Sequence, residues 1–157
     1  MTSYTTVDSP IGELLLTAED GALTRLNMSP FDVHPDWRHD PDALSDAATQ
    51  LEEYFAGERT SFDLDLAPAG TEFQQRVWAM LLEIPFGETT TYGTLAGRLG
   101  NPRTVRAVGL ANGRNPIAVI IPCHRVIGAN GSLVGFGGGL ERKRVLLDHE
   151  AGVRSLC

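Results

Sequence analysis

Cys123 and His124 form the pair of residues best suited to chemistry in this sequence. A thiol attacks as the thiolate, so it needs a base or a positive charge nearby, and an imidazole is such a base. Adjacent side chains of an extended chain point to opposite sides, so a water molecule can bridge this pair. Glu150, near the end of the last predicted helix, is the acid expected to orient the imidazole. The pattern indicates a nucleophilic cysteine, with an inert buried cysteine as the open alternative.

Charge is distributed unevenly along the chain. The formal net charge is −7, which taken whole argues against a nucleic-acid partner. Residues 1–88 hold 17 acids and 4 bases, whereas residues 89–140 hold five arginines and no acid. A neutral core segment is one interpretation of this acid-free stretch. The interpretation we favour is a surface that meets an anion, because a stretch of 52 residues without one Asp or Glu is unlikely by chance at this composition.

A helix-turn-helix is predicted inside the acid-free stretch. Tyr92 to Leu99 has the pattern of a short helix, Gly100-Asn101-Pro102 that of a tight turn, and Arg103 to Gly113 that of a second helix. Helix-turn-helix shapes also occur in proteins that bind no DNA, so the pattern alone leaves both interpretations open.

The second of these helices has two different sides on a helical wheel. One side is expected to face the core and consists of Val105, Val108 and Ala111. The other side is basic at its edges and carries small residues, which allow a backbone to approach a groove closely. Its members are Arg103, Arg106, Ala107, Leu110 and Arg114, with Gly109 among the small residues. A solvated helix with no nucleic-acid partner is the alternative.

The chain of 157 residues is long enough for one domain or two small lobes. A composition of 42% hydrophobic and 21% charged residues excludes a disordered or collagen-like chain. Pro68-Ala69-Gly70 breaks the pattern, so we place an N-terminal α/β lobe in residues 1–66 and a C-terminal lobe in residues 67–157. The first lobe is predicted to hold strands within residues 3–28, with a hairpin turn at Asp20-Gly21, and a helix from Asp42 to Phe55.

The elements of the second lobe place the cysteine between helices. Thr71 is expected to cap a helix whose buried face consists of Phe73, Val77, Trp78, Leu81 and Leu82. The helix-turn-helix is followed by a buried strand or extended segment, a glycine-rich loop and a closing helix, over Ile117–Ile121, Gly128–Gly139 and Leu140–Glu150. The loop lacks the ending of a phosphate-binding loop, so we interpret it as shaped around another ligand.

Cysteine usage and the N-terminus predict a cytoplasmic protein without a membrane partner. The two cysteines, Cys123 and Cys157, are too few for a disulfide framework or a four-cysteine zinc site. The N-terminus lacks the basic region of a signal peptide. The apolar run at Ile117–Ile121 is too short to cross a bilayer.

Four motifs in order resemble the O6-alkylguanine-DNA alkyltransferases, also called methylated-DNA–protein-cysteine methyltransferases. They are FQQRVW at 73–78, IPFGETTTYG at 84–93, RAVGLANGRNP at 106–116 and PCHRV at 122–126. The resemblance is specific from about residue 70 to Glu150, and the first lobe adds a suitable length and an SPIG start. It implies a ribonuclease-H-like α/β N-terminal lobe and a mainly helical C-terminal lobe with a helix-turn-helix.

The resemblance also implies an activity, which is direct repair of double-stranded DNA containing O6-alkylguanine. The helix-turn-helix would enter the minor groove, the damaged base would be flipped out, and Cys123 would take the alkyl group irreversibly, once per molecule. No cofactor and no metal are expected. Arginine outnumbers lysine 12 to 1, which is typical of a GC-rich bacterial genome. We expect the protein to be monomeric in solution and associated with the nucleoid when bound, with side-by-side binding on DNA as an open alternative.

Residue roles follow from the resemblance position by position. Arg106 would fill the space of the flipped base, Tyr92 would crowd the phosphate and donate to guanine N3, and Arg125 would brace the two lobes. The implied catalytic set is Cys123, His124, Glu150, Tyr92 and Asn115. The implied DNA-binding set is Arg106, Arg103, Ala107, Gly109, Tyr92 and Arg114, and the substrate-binding set is Val126, Phe136 and Gly137.

Three positions depart from the family pattern. Gly113 replaces a basic residue of some relatives, although Arg114 lies next to it. Phe136 stands where some members have Tyr, and Gly137 stands where some have Ser, so that only a backbone N–H remains there to contact guanine O6. Three other functions stay open: a damage-binding protein of the alkyltransferase-like kind, a Cys-His hydrolase and a transcription factor. Cys123 argues against the first, and the basic helix-turn-helix argues against the second.

Overall fold

The computed structural model describes residues 1–133 and 136–152, and it divides the chain into two compact units. The first unit is Met1–Ala69 together with Pro116–Ala118. The second is Gly70–Asn115 together with the chain from Val119 onward. The first unit is mixed α/β and the second is mainly helical, as the sequence predicts.

A four-stranded sheet forms the centre of the first unit. Its strands are β1 (Ser3–Val7), β2 (Leu14–Glu19), β3 (Ala22–Met28) and β4 (Arg38–His39), in the order β3-β2-β1-β4. Neighbours among β1, β2 and β3 are antiparallel, whereas β4 runs parallel to β1. Asp20 and Gly21 both have positive φ, which is the conformation that the Asp-Gly hairpin signal predicts.

One helix supplies the other part of this core. The helix predicted from Asp42 begins instead with a 3-10 turn, Pro41–Leu44, and continues as α1 (Ser45–Phe55). Asp40 caps the turn by accepting from Ala43 N, and the fixed φ of Pro41 suits its first position. The core residues are Leu14, Leu15, Leu16, Leu44, Ala47, Leu51 and Tyr54.

The free edge of β3 is covered by two later segments of the chain. Leu23 pairs with Leu66 and Leu26 pairs with Ile117, both in parallel bridges. Ile117 is therefore part of the first unit, although it lies far beyond residue 69 in sequence. The segment from Ala118 to Ile121 then turns instead of continuing as the predicted strand or extended segment, and the buried Val119 has a φ of 72°. This conformation is strained for a β-branched residue.

Helices dominate the second unit. They are α2 (Glu72–Leu81), α3 (Tyr92–Arg98), α4 (Val105–Gly113) and α5 (Leu140–Glu150). Thr71 caps α2 in a capping box with Gln74, and the Trp78 indole donates to Ala111 O at 2.9 Å, which joins α2 to α4. Leu82 was expected on the buried face but is 51% exposed, because α2 ends one residue earlier.

Two short strands and two 3-10 turns complete the second unit. The strands β5 (Thr90–Thr91) and β6 (Val126–Ile127) pair in parallel and join the start of α3 to the cysteine segment. Pro102–Thr104 forms a 3-10 turn before α4, so Arg103 lies in this turn and not in the helix predicted for it. The second 3-10 turn is Cys123–Arg125. No helix in the described residues is long and apolar enough to cross a membrane.

Candidate active site and nucleic-acid interface

Cys123 begins a single 3-10 turn directly after Pro122. Its N–H donates to Ile121 O at 2.8 Å, and Arg125 N–H donates to Pro122 O at 3.0 Å. Successive side chains of a 3-10 turn point about 120° apart. The turn therefore sends Cys123, His124 and Arg125 in three directions from one buried point of the backbone.

His124 and Glu150 form a buried pair, as the sequence predicts. His124 Nε2 lies 2.7 Å from Glu150 Oε2, and the histidine side chain is fully buried. Because a carboxylate only accepts hydrogen bonds, we assign the imidazole proton to Nε2. The other nitrogen, Nδ1, is buried and hydrogen-bonds to no group in the described part of the chain. Nδ1 is then the nitrogen that can accept a proton.

Arg125 binds the same carboxylate from its other side. Its Nε lies 2.7 Å from Glu150 Oε1 and its Nη2 lies 2.9 Å from Oε2, while Nη1 donates to Ile84 O at 2.6 Å. The guanidinium also lies over the Phe86 ring, 5.8 Å from its centroid. All of these partners belong to the second unit. The expectation that Arg125 braces the two lobes is therefore replaced by a role inside the site.

Lys143 is a buried cation of the site that was not predicted. Its Nζ donates to Val126 O at 2.6 Å and lies 5.9 Å from the centroid of the Tyr92 ring. In the sequence it looks like one of several charges on an exposed helix. A signal was available, because Lys143, Leu146 and Glu150 recur at the spacing of one helical face, and that face is buried.

Two asparagines hold the backbone around the cysteine. Asn115 Nδ2 donates to Ile121 O at 2.7 Å, which places this predicted residue on the active-site segment. Asn112, which was not predicted, donates from Nδ2 to Cys123 O at 3.3 Å and reaches the Tyr92 hydroxyl. Its position on the buried side of α4, beside Val108 and Ala111, is the signal that marked it.

The pKa shifts describe a site that is neutral at rest. Burial raises the pKa of the Cys123 thiol, against the opposing effects of the Asn115 side chain and the Lys143 charge. Burial lowers the pKa of His124, although Glu150 acts to raise it. Burial also lowers the pKa of Lys143 and raises that of Tyr92. A neutral thiol and a neutral imidazole are thus the resting forms near pH 7.

The outer face of α4 carries the side chains proposed for nucleic-acid contact. Those exposed to solvent are Arg103 in the preceding turn and Arg106, Ala107, Leu110 and Arg114. Val105 was expected on the core side but is 40% exposed, because α4 starts at this residue. Gly109 faces Tyr92: a Cβ there would lie 3.9 Å from the Tyr92 ring. The predicted basic and small surface is therefore present, and it adjoins Tyr92.

The predicted substrate contacts lie on two segments. Val126 is buried, and its carbonyl already accepts from Lys143, which leaves one lone pair for a ligand. Phe136 is half-buried and Gly137 is exposed, and a Cβ on Gly137 would lie 3.4 Å from Gly113 O. The loop thus lies against the end of α4. Cys157 and residues 134–135 of the glycine-rich loop fall outside the described residues.

Metal ligands are not clustered in this site. Among residues 1–133 and 136–152, no group of three or more His, Cys, Asp or Glu side chains could hold a metal ion.

Comparisons with known proteins cover almost the whole chain. The model of the 6-O-methylguanine DNA methyltransferase DNA binding domain matches residues 72–152, and that of the ribonuclease-like domain matches residues 2–68. A methylated-DNA–protein-cysteine methyltransferase of Mycobacterium tuberculosis is 56% identical over 153 residues, covering 96% of this chain and 93% of the relative. A protein of the same name from Methanosarcina acetivorans is 52% identical, covering 94% and 97%.

Solved structures agree with these relatives. The crystal structure of Mycobacterium tuberculosis OGT in complex with DNA superposes with a TM-score of 0.91 at 55% identity, covering 96% of this chain and 93% of that chain. A structure of the M. tuberculosis O6-methylguanine methyltransferase gives a TM-score of 0.90 at 53% identity, covering 100% and 97%. The architecture is therefore a ribonuclease-like domain followed by a helical DNA-binding domain. The chain belongs to the 6-O-methylguanine DNA methyltransferase family.

Proposed function

We propose that this protein repairs DNA directly by moving an alkyl group from guanine O6 to its own Cys123, irreversibly and once per molecule. The observation that carries the proposal is a buried thiol on the same turn as a His124–Glu150 pair, in a unit whose α4 presents an exposed basic face. The relatives named methylated-DNA–protein-cysteine methyltransferase and the DNA complex of the M. tuberculosis protein support it.

The substrate is double-stranded DNA, with the damaged base turned out of the stack. A buried thiol cannot reach O6 inside a duplex, so the nucleotide must enter the protein. Arg106 on the exposed side of α4 fills the space that the base leaves, and Arg103 and Arg114 contact phosphates. Ala107 and Gly109 allow the helix to approach the minor groove closely.

The chemical step is an in-line displacement at the alkyl carbon. His124 Nδ1 takes the thiol proton through a water molecule, and the sulfur forms a bond to the carbon as the bond from that carbon to O6 breaks. The electron pair of that bond stays on the guanine, which is then protonated from solvent or a donor of the site. Glu150 stabilises the imidazolium formed in this step. Because the product is a thioether, the sulfur is not regenerated.

The remaining groups of the site hold the guanine and its developing charge. The Cys123 and Val126 backbone and the Gly137 N–H contact the guanine edge, with Phe136 beside it. Tyr92 donates to guanine N3, where charge develops as the leaving group departs, and the nearby Lys143 favours the same charge. Asn115 fixes the backbone before the cysteine. No metal and no cofactor take part in this scheme.

We also propose a domain boundary, a cellular location and an oligomeric state for this protein. The functional boundary between the lobes lies at residues 66–67, the protein acts in the cytoplasm on nucleoid DNA, and it is a monomer in solution. The competing function, damage binding without transfer, is disfavoured by the presence of Cys123.

A repair assay tests the proposal. A duplex with one O6-methylguanine is incubated with limiting protein, and restoration of guanine is followed by cleavage at a restriction site that the lesion blocks. We expect repaired duplex to level off at one per protein molecule and Cys123→Ser to repair none while still binding the duplex. Continued repair beyond one equivalent would contradict the single-use mechanism.

A further inference from the structure

Glu150 is shared between His124 and Arg125, and both of its carboxylate oxygens are occupied. Oε1 accepts from Arg125 Nε, while Oε2 lies within hydrogen-bonding distance of both Arg125 Nη2 and His124 Nε2. All three side chains are buried or nearly so. A carboxylate can orient a histidine without an arginine. The contact between Glu150 and Arg125 therefore indicates a further role for Arg125.

We propose that Arg125 is a positioning residue for alkyl transfer: it clamps Glu150 so that His124 keeps its proton on Nε2 and presents Nδ1 to the thiol proton. This inference rests on the proposed function and deepens it. Arg125 then touches neither the cysteine sulfur nor the substrate and acts only through Glu150 and His124.

The clamp is itself anchored. Arg125 Nη1 donates to Ile84 O at 2.6 Å, and the guanidinium plane lies over the Phe86 ring. Two parallel contacts to Glu150 fix the carboxylate plane, which a single hydrogen bond from histidine leaves free to rotate. A rigid path therefore runs from the backbone at Ile84 through the guanidinium and the carboxylate to the imidazole. The orientation of Nδ1 follows from this path.

The charges around His124 favour its neutral imidazole form. Glu150 and Lys143 face it from α5, Arg125 lies on its own turn together with Cys123, and Tyr92 lies nearby on α3. The α2 helix, which also packs against the turn, buries Val77, Trp78 and Leu81 and adds no charge. Arg125 neutralises the charge of Glu150, and Lys143 adds a second positive charge. An imidazolium at His124 is therefore unfavourable until the Cys123 thiolate forms with it. His124 therefore stays available as a base when the medium becomes more acidic.

The test compares Arg125→Gln and Arg125→Lys with the wild type, using free O6-methylguanine base so that DNA binding does not enter. Arg98→Gln is the control, because Arg98 also pairs with a glutamate, Glu83 at 3.3 Å, but at the surface. Single-turnover methyl transfer to Cys123 is measured by intact mass over roughly pH 5 to 9. Circular dichroism and the thermal midpoint report whether each variant is folded.

At low pH the rate of methyl transfer falls as His124 becomes protonated, which gives the acid limb of the rate profile. We expect Arg125→Gln to move this limb to higher pH by about one pH unit, because the charge that opposes protonation of His124 is lost. Arg125→Lys should restore the position of the limb, since it restores the charge, but not the full rate at the plateau, since an ammonium cannot make the two parallel contacts. Arg98→Gln should match the wild type throughout.

Three results would overturn the inference. The first is an unmoved acid limb in folded Arg125→Gln, and the second is an equal loss of rate at every pH, which is what a merely structural arginine gives. The third is a ¹⁵N NMR spectrum of the wild type with the His124 proton on Nδ1. The NMR measurement needs neither a variant nor a reaction, so it decides even if Arg125→Gln does not fold. If the wild type transfers no methyl group, the proposed function fails while the tautomer remains measurable.

Discussion

Cys123 and His124 lie in surroundings that disfavour charge on either side chain. Both are buried, and burial acts on their pKa values in opposite directions, raising that of the thiol and lowering that of the imidazole. Burial therefore disfavours the thiolate alone and the imidazolium alone, and each charge is favoured when the opposite charge forms beside it. Such a site protects a single-use nucleophile from other electrophiles while leaving it ready for a substrate that completes the site.

The lowered pKa of His124 makes stability depend on pH. In the unfolded chain histidine titrates near 6.5, and in the folded protein it titrates lower, so the unfolded state binds more protons as pH falls below about 6.5. The free energy of unfolding should therefore fall by up to about 1.4 kcal/mol per pH unit in that range. Urea unfolding of the wild type and of His124→Asn over roughly pH 7 to pH 5 measures this loss of stability. Equal slopes for the two proteins would assign the loss of stability to other groups.

Element geometry decides how closely α2 can pack. Gly70 precedes the helix, and a Cβ at that position would lie 2.4 Å from the Trp78 ring, whose indole joins α2 to α4. Gly70→Ala should therefore cost about 1–3 kcal/mol in the free energy of unfolding, because a ring that is nearly fully buried has little room to move.

The matched control is Gly97→Ala in α3. Nothing lies within 4 Å of a Cβ at Gly97, and alanine favours a helix interior by about 1 kcal/mol over glycine. This variant should be as stable as the wild type or more stable. If chemical denaturation finds the two variants alike, the close contact at Trp78 is not the cause.

Arg106 on the exposed face of α4 is expected to matter for repair of a duplex. Arg106→Ala should slow repair of a duplex by about tenfold or more, because the flipped state loses the side chain that fills the stack. Repair of free O6-methylguanine base should change much less, since no base has to be flipped. Arg98→Ala, on the neighbouring helix, serves as the control. Equal slowing on duplex and free base would remove the proposed role of Arg106.

The sequence predicted those elements that are determined by residues close together in the chain. The bounds of α5, the capping residue Thr71 and the Asp20-Gly21 turn follow from neighbouring residues, and the structure has them as predicted. β4 was missed, because two residues paired in parallel to β1 leave no periodic pattern. Ile117–Ile121 was expected to be a strand or extended segment, but apolar composition does not distinguish a strand from a buried turn.

Some residues of the candidate site could be predicted from the sequence, and others could not. Cys123, His124 and Glu150 could be predicted from residue type and motif. Lys143 and Asn112 were marked only by their places on the buried faces of α5 and α4, and their contacts around the cysteine depend on the fold. Arg125 was expected to brace the two lobes, and its contacts with Ile84 and Glu150 could not be recognised because they are long-range in sequence.

At the scale of the whole molecule, the acidic total belongs mainly to the ribonuclease-like domain. Residues 2–68 carry 14 acids and three arginines, Arg25, Arg38 and Arg59, whereas the acid-free stretch holds the helix-turn-helix and the cysteine. We infer that the acidic domain limits binding to undamaged DNA, because like charge repels the phosphate backbone over about a Debye length, roughly 10 Å at 0.1 M salt.

Neutralising part of this charge tests that inference. The triple variant Asp32→Asn, Glu52→Gln and Glu58→Gln changes exposed side chains only. It should bind undamaged duplex more tightly than the wild type at low salt, and the difference should vanish as salt screens the charges. Fluorescence anisotropy over a salt series measures both. Unchanged affinity at low salt would count against a repulsive role.

The central claim is that Cys123 itself becomes the alkylated product. The direct measurement is intact-mass spectrometry of the protein after reaction with excess O6-methylguanine duplex, followed by peptide mapping. We expect one added methyl group per molecule, located on Cys123, and no further gain in mass with time or substrate. Complete repair with an unchanged protein mass, or a methyl group on another residue, would contradict it.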